Sequence, residues 1–298
     1  MWINGIIIMK KIKHCIGVVS WCKSDENPDR FARLKESILS HKLLKRDDNY
    51  IFLWDNGSSE DVKEFLRSCD FYDDIYFSPK NLYTNVMEAL LNLKAKELNA
   101  QYITLLAHDY LIYDHDAVLS CMDFLDKNLD CASVKMLKFE FDRMEIYDKL
   151  GNHPDKDVPH MMRLFNTVTN EPLVWEGIQY INDYRFSKNN WHWSEFPNVC
   201  RAELFDKIFP KVDCGPLQWL ELVMMKNYNN LKNPRNPSLN WKTGVLDKGA
   251  ALHNQAGFNT GTSSRVAFYS QLDKKILVKV SEMLSVINDV CGTKYGQL

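Results

Sequence analysis

The chain is expected to fold as an α/β protein on a doubly wound, mostly parallel sheet, and three observations predict this. Within the first 110 residues, short β-rich apolar runs alternate four times with stretches at helical spacing. The run 102–106, Tyr-Ile-Thr-Leu-Leu, is apolar on both alternations, as a strand buried on both faces must be. Each β-rich run stops at a small polar cluster, and ligands of open parallel sheets bind beyond the carboxyl ends of the strands.

The first unit is His-Cys-Ile-Gly-Val-Val-Ser-Trp at 14–21, ending at Ser20-Trp21-Cys22. Asn27 then stands as an N-cap before Pro28 at the first helical position, and Phe31, Leu34, Ile38 and Leu39 recur at helical spacing. A strand at 50–54 leads into Asp55-Asn56-Gly57-Ser58 and a helix at 59–68 whose first turn is acidic, as the macrodipole prefers. The third unit is a strand at 74–77, a turn at 78–81, and a long helix capped by Thr84 and carrying Val86, Leu90, Leu91, Leu93 and Leu98. It delivers the chain into the strand that ends at Ala107-His108-Asp109.

Beyond this point the rhythm weakens. A helix is expected at 115–128, a strand at 131–139 and an exposed loop at 142–157, where Gly151, Asn152 and Pro154 punctuate a polar run. The segment 160–200 is dense in aromatic residues. Helices follow at 201–208 and 216–229, then an Asn- and Pro-rich loop, one strand over 245–252 ending at His253, and a closing helix over 264–290. The implied organisation is an extension at 1–13, a ligand-binding half at 14–114, a second half at 115–263 and a C-terminal helix at 264–298.

Composition narrows the classes. The 298 residues carry 37 basic and 39 acidic side chains, a formal charge of -2, so no global field draws the chain to nucleic acid or an anionic membrane. Eight cysteines contain no C-x-x-C pair, which argues against zinc-ribbon and thioredoxin chemistry and suits a reducing cytoplasm. The N-terminus is apolar first and basic second, at Lys10, Lys11 and Lys13, the reverse of a secretion signal. Met9 begins a second plausible start, so residues 1–8 read as a dispensable extension. No apolar run approaches the roughly 20 residues that span a bilayer, leaving peripheral membrane contact open.

Taken together, Ser20-Trp21, Asp55-Asn56-Gly57-Ser58 and Ala107-His108-Asp109 resemble the loops of the GT-A glycosyltransferases, particularly the inverting family 2 type. The most specific match is Leu-Trp-Asp-Asn-Gly-Ser-Ser-Glu-Asp at 53–61. The resemblance implies a GT-A, Rossmann-like, three-layer α/β/α sandwich and a cytoplasmic enzyme of polysaccharide biosynthesis. Such an enzyme moves a sugar from a nucleotide-diphosphate sugar to a hydroxyl of a glycan acceptor, with inversion. It further implies that Asp55 and Asn56 meet the base or ribose, with Ser20 and Trp21 lining that pocket; a carboxylate accepts from ring N–H or ribose hydroxyls, and indole stacks on a base. Taken alone, Asp-Asn-Gly-Ser is also simply a strong turn signal.

Family members hold Mg²⁺ or Mn²⁺ with the last Asp of Asp-x-Asp, and the ion neutralises the leaving diphosphate. Here the first position is Ala107 and the middle one His108, so Asp109 is the surviving metal ligand, and His108 is available to ribose or phosphate. Ala-Leu-His-Asn-Gln-Ala-Gly at 251–257 resembles a C-terminal His-x-x-Gly segment, which makes His253 the partner ligand. In the family the general base often stands in a Trp-x-Glu context, so the resemblance makes Glu221 of 219–221 the candidate base, with Asp213 and Glu195 in reserve. Trp191, His192 and Trp193 form a candidate aromatic platform for the acceptor sugar. Two other readings stand beside this one: a non-catalytic carbohydrate-binding or scaffolding protein of the same fold, and a sugar nucleotidyltransferase. The latter usually has a Gly-rich basic loop after the first strand, whereas Cys-Lys-Ser-Asp-Glu-Asn-Pro-Asp at 22–29 is glycine-free and acidic.

Overall fold

In a computed structural model of the chain, the described residues are 11–26, 28–82, 85–136, 175–190, 197–209, 241–247 and 249–253, with short segments at 2–3, 6–7, 216–217, 224, 227–228 and 278–279. Two short strands, β1 (Trp2–Ile3) and β2 (Ile6–Ile7), pair antiparallel. Then come β3 (His14–Ser20), α1 (Pro28–Ser40), a 3₁₀ turn (His41–Leu44), β4 (Asn49–Asp55), α2 (Glu60–Arg67), β5 (Asp74–Phe77), α3 (Asn85–Glu97) and β6 (Tyr102–Ala107). This is the strand and helix alternation expected, in the expected order.

The second half runs β7 (Tyr110–Ile112), α4 (His115–Lys127), β8 (Cys131–Lys135), β9 (Trp175–Ile181), β10 (Tyr184–Asn189), β11 (Asn198–Arg201), α5 (Ala202–Ile208), β12 (Pro216–Leu217), β13 (Lys242–Leu246), β14 (Ala251–His253) and β15 (Val278–Lys279). Nine of these strands form one sheet in the order β5-β4-β3-β6-β11-β8-β13-β10-β9. Following the pairings outward from β3, only β11 and β10 run against the other seven, so the sheet is mostly parallel in direction.

Strand alternation sorts the apolar residues onto two faces. Ile16, Val18, Ile51, Leu53 and Leu106 pack with α1, α2 and α4 through Leu34, Ile38, Val62, Leu66 and Val118. Cys15, Val19, Phe52, Trp54, Ile103 and Leu105 pack with α3 and α5 through Met87, Leu90, Leu204 and Phe205. The result is the three-layer α/β/α arrangement expected, with apolar residues on both faces because both are covered. A Cβ on Gly17 would lie 2.9 Å from the Met87 side chain and 3.3 Å from that of Leu91, so its bare backbone is what lets α3 lie close on β3.

Several expectations need correction. Leu39 is exposed, and the buried stripe of α1 is Leu34, Ser37 and Ile38. The aromatic segment contains an antiparallel hairpin, β9–β10, turned by Asn182 and Asp183 at φ of 49° and 67°. Asn and Asp tolerate that left-handed backbone, which two-residue hairpin loops of the right twist require. The strand expected over 245–252 is two strands: Gly249, at φ 68°, closes a turn onto Leu246, and the chain leaves the sheet as β14 to pair with β7. Pro216–Leu217 pairs with Val278–Lys279, so neither segment is helical as expected; helical backbone is found at Met224, Asn227 and Tyr228. The strand expected over 131–139 is seen to Lys135, and the loop at 142–157 lies outside the described residues.

Candidate functional site at the carboxyl edge of the sheet

The register of the parallel strands aligns the three loops. Ser20 stands opposite Asp55, and Val19 opposite Ala107, so the ends of β3, β4 and β6 lie level. Backbone bonds tie the exits together: the Asn56 N–H donates to the Ser20 carbonyl and the His108 N–H to the Val19 carbonyl, each at 2.8 Å.

The Asp55–Ser58 turn is buried and strongly braced. Asp55 is fully buried; its carboxylate accepts the Ser58 N–H at 3.0 Å and the Ser58 hydroxyl. Burial pushes its pKa above the usual carboxylate range, against the lowering pull of the Ser58 donors and Lys63. The Asn56 side-chain oxygen accepts the Trp54 indole N–H at 2.8 Å. Gly57 takes φ of 76°, and a Cβ there would stand 3.0 Å from the backbone of Lys80. Gly57→Ala is therefore expected to cost more than the about 1–2 kcal/mol of left-handed backbone alone, because Lys80 main chain cannot swing aside. Thermal melting checks this; an unchanged Tm would refute it.

Ser20 at the end of β3 is fully buried, and its hydroxyl has no hydrogen-bond partner among the described groups. A buried hydroxyl without a partner costs about 1–3 kcal/mol, so this position marks where a ligand or water would be gained. Next to it, Trp21 is half-buried, with the Arg30 guanidinium 4.8 Å from its ring centroid. Arg30 Nη2 also lies 3.3 Å from His108 Nε2. Arg30 was not among the expected site residues. Its sequence signal was a cation in the first turn of α1, where the helix dipole disfavours positive charge.

The Asp109 loop is held from beneath. His41 is fully buried; its Nε2 lies 2.9 Å from the Tyr110 carbonyl, which can only accept, so Nε2 carries the proton and Nδ1 accepts the Tyr72 hydroxyl at 3.1 Å. From the other side β14 pairs with β7, placing His253 opposite Tyr110, the neighbour of Asp109. Asp109 itself is half-buried between β6 and β7. The two donors expected for a divalent cation thus come from adjacent backbone positions, although no group of three or more His, Cys, Asp or Glu side chains converges among the described residues. Glu221, the reserves Asp213 and Glu195, and the platform Trp191, His192 and Trp193 lie outside the described residues.

A cavity of about 500 Å³ opens beside this edge, lined by Ser24, Asp25, Pro28, Phe31, Ser59 and Asp61. It does not include Ser20, Asp55 or Asp109. The Ser24 and Ser59 hydroxyls hold the Asp61 pKa below the usual carboxylate range, so the hollow is an acidic one.

A nine-stranded, mostly parallel sheet covered on both faces, with three loops aligned at its carboxyl edge, defines the class of this protein as a doubly wound α/β fold. No family model and no curated protein matches the sequence. Similar solved structures include residues 1–349 of TarS from S. aureus in complex with UDP-GlcNAc, 11% identical with a TM-score of 0.45, covering 94% of this chain and 72% of that one. The same segment in complex with UDP gives 11%, 0.46, 94% and 71%. A protein of Desulfovibrio desulfuricans G20, provisionally named a nucleotide-diphospho-sugar transferase, is 11% identical with a TM-score of 0.32 over 43% of this chain and 58% of that one. No helix among the described residues is long and apolar enough to cross a membrane.

Proposed function

We propose that the chain is an inverting glycosyltransferase that takes a nucleotide-diphosphate sugar as donor and a glycan hydroxyl as acceptor. The observation that carries this reading is the level alignment of Ser20, Asp55 and Ala107-His108-Asp109 at one sheet edge. The orphaned Ser20 hydroxyl there supports a polar ligand. In the transfer, the acceptor oxygen bonds to the anomeric carbon from the face opposite the diphosphate. The C–O bond to the diphosphate breaks with its electrons on the phosphate oxygen, and the acceptor proton passes to a general base, for which Glu221 is proposed. Trp191, His192 and Trp193 are proposed to carry the acceptor ring.

Asp109 and His253 would hold Mn²⁺ or Mg²⁺, a carboxylate and an imidazole being suitable donors, with diphosphate oxygens and water completing the shell. When bound, the ion neutralises charge on the diphosphate. Asp55 and Asn56, with Ser20 and Trp21, would frame the nucleoside, and His108 the ribose or phosphate.

One observation favours the second reading, a non-catalytic carbohydrate-binding or scaffolding protein: Ser58 already engages both Asp55 oxygens, as a purely structural turn would require. Thermal shifts across UDP-, GDP- and dTDP-sugars, with Mn²⁺ or Mg²⁺ and with EDTA, separate the two. The expected result is a metal-dependent rise in Tm with one donor class, accompanied by release of the nucleoside diphosphate on adding acceptor. No shift with any donor would leave the non-catalytic reading.

A further inference from the structure

We infer that Arg30 is the anion-binding residue of this edge and receives the diphosphate of the nucleotide. The inference rests on the nucleotide-sugar reading but assigns a residue that the three loop motifs do not contain. Arg30 reaches from the first turn of α1 to the gap between the β3 and β6 loops, where its guanidinium lies over Trp21 at 4.8 Å and its Nη2 is 3.3 Å from His108 Nε2. Guanidinium has no acceptor, so in this contact His108 Nε2 presents its lone pair and Arg30 donates. A planar cation held by an indole face and an imidazole is pre-oriented, and its fork of N–H groups matches paired phosphate oxygens.

The rest of the edge sharpens the placement. The neighbouring cavity is lined by Asp25 and Asp61, which repel an anion. Ala107 ends β6 without charge, and the buried Ser20 hydroxyl offers a neutral donor one residue before Trp21. Arg30 therefore marks where on this edge negative charge is welcome, on the same side as Trp21 and His108.

The test is calorimetric titration of the full chain and its Arg30→Ala and Arg30→Lys variants in EDTA. Ligands are inorganic pyrophosphate, UDP, GDP and dTDP, with uridine, guanosine and thymidine as controls. Loss of a charge-assisted bond is expected to weaken pyrophosphate and the bound diphosphate about tenfold or more in Arg30→Ala. The matching nucleoside should be unaffected, and Arg30→Lys should recover part of the loss. Unchanged diphosphate affinity in Arg30→Ala overturns the inference, as does an equal loss for nucleoside and diphosphate, which signals a structural role. Pyrophosphate binding that depends on Arg30 without binding of any nucleotide keeps the anion site and removes the nucleotide-sugar reading. A wild-type chain that binds none of these ligands overturns both.

Discussion

Replacing Asp109 with Ala is expected to lower metal-dependent donor binding about 100-fold or more, since loss even of an outer partner costs a metal site about 10–100-fold. Asp109 is the one acidic side chain of the loop between β6 and β7, and the backbone of His253 lies across the β7–β14 pair from its neighbour Tyr110. Binding of the nucleoside diphosphate in EDTA should be nearly unchanged, which separates a ligand role from collapse of the loop. Titration of donor with and without Mn²⁺ checks this; equal metal dependence in wild type and variant would remove Asp109 as a ligand. Because Arg30 acts without metal, its variants should show the opposite pattern, a loss that persists in EDTA.

Acid is expected to destabilise the fold between about pH 6.5 and 4. His41 and His14 are both buried; burial pulls the first down to about 4 and the second to about 3. Their unfolded values lie near 6.5. Below that pH the unfolded chain takes up protons that the folded chain refuses, so stability is complete above pH 6.5 and declines as pH falls toward the folded values. Each histidine accounts for roughly 3 kcal/mol over that window. Urea unfolding at pH 7.5 and 4.5 measures the loss, and His41→Gln, which can still donate to Tyr110 and accept from Tyr72, should show a shallower pH slope. An equal slope in both proteins would exclude His41 as a contributor. Its loss is expected to be felt at the site too, since the imidazole fixes the carbonyl next to Asp109.

The elements from β3 to β6, and α4 after them, were legible because each carries its own signal. β3, β4 and β6 are apolar runs with a polar stop, α1 has Pro28 at its start, and α2 has Glu60 and Asp61 in its first turn. What escaped depends on partners far along the chain. β7 is three residues long, with no periodicity of its own, and exists because β14 pairs with it. β13 and β14 together look like one apolar run, and a short connection containing the left-handed Gly249 separates them. The β9–β10 hairpin hid among aromatic residues, although its Asn182-Asp183 turn was a usable signal.

The site was legible in the same uneven way. Asp55-Asn56-Gly57-Ser58 read as the turn after a strand, but the sequence could not say that the Asp55 carboxylate would be buried against that turn. Arg30 belongs to no loop motif; its importance is a matter of which side chains the α1 entry brings over Trp21. His108 reads from the sequence as a group available to ribose or phosphate, and its contact with Arg30 comes from another element that no loop motif reveals.

The β7–β14 pair also bears on how the protein is made. It joins residues 110 and 253, 143 positions apart, and such distant contacts are slow to form because a long loop must close first. During synthesis the β3–β6 layer can assemble while β7 still lacks its partner strand. The Asp109 loop therefore acquires its second brace only after β14 has emerged, so nascent chains short of that point carry the ends of β3, β4 and β6 without that brace. Completion of this edge is in this sense a late event in the life of the chain, imposed by three residues that never join the main sheet.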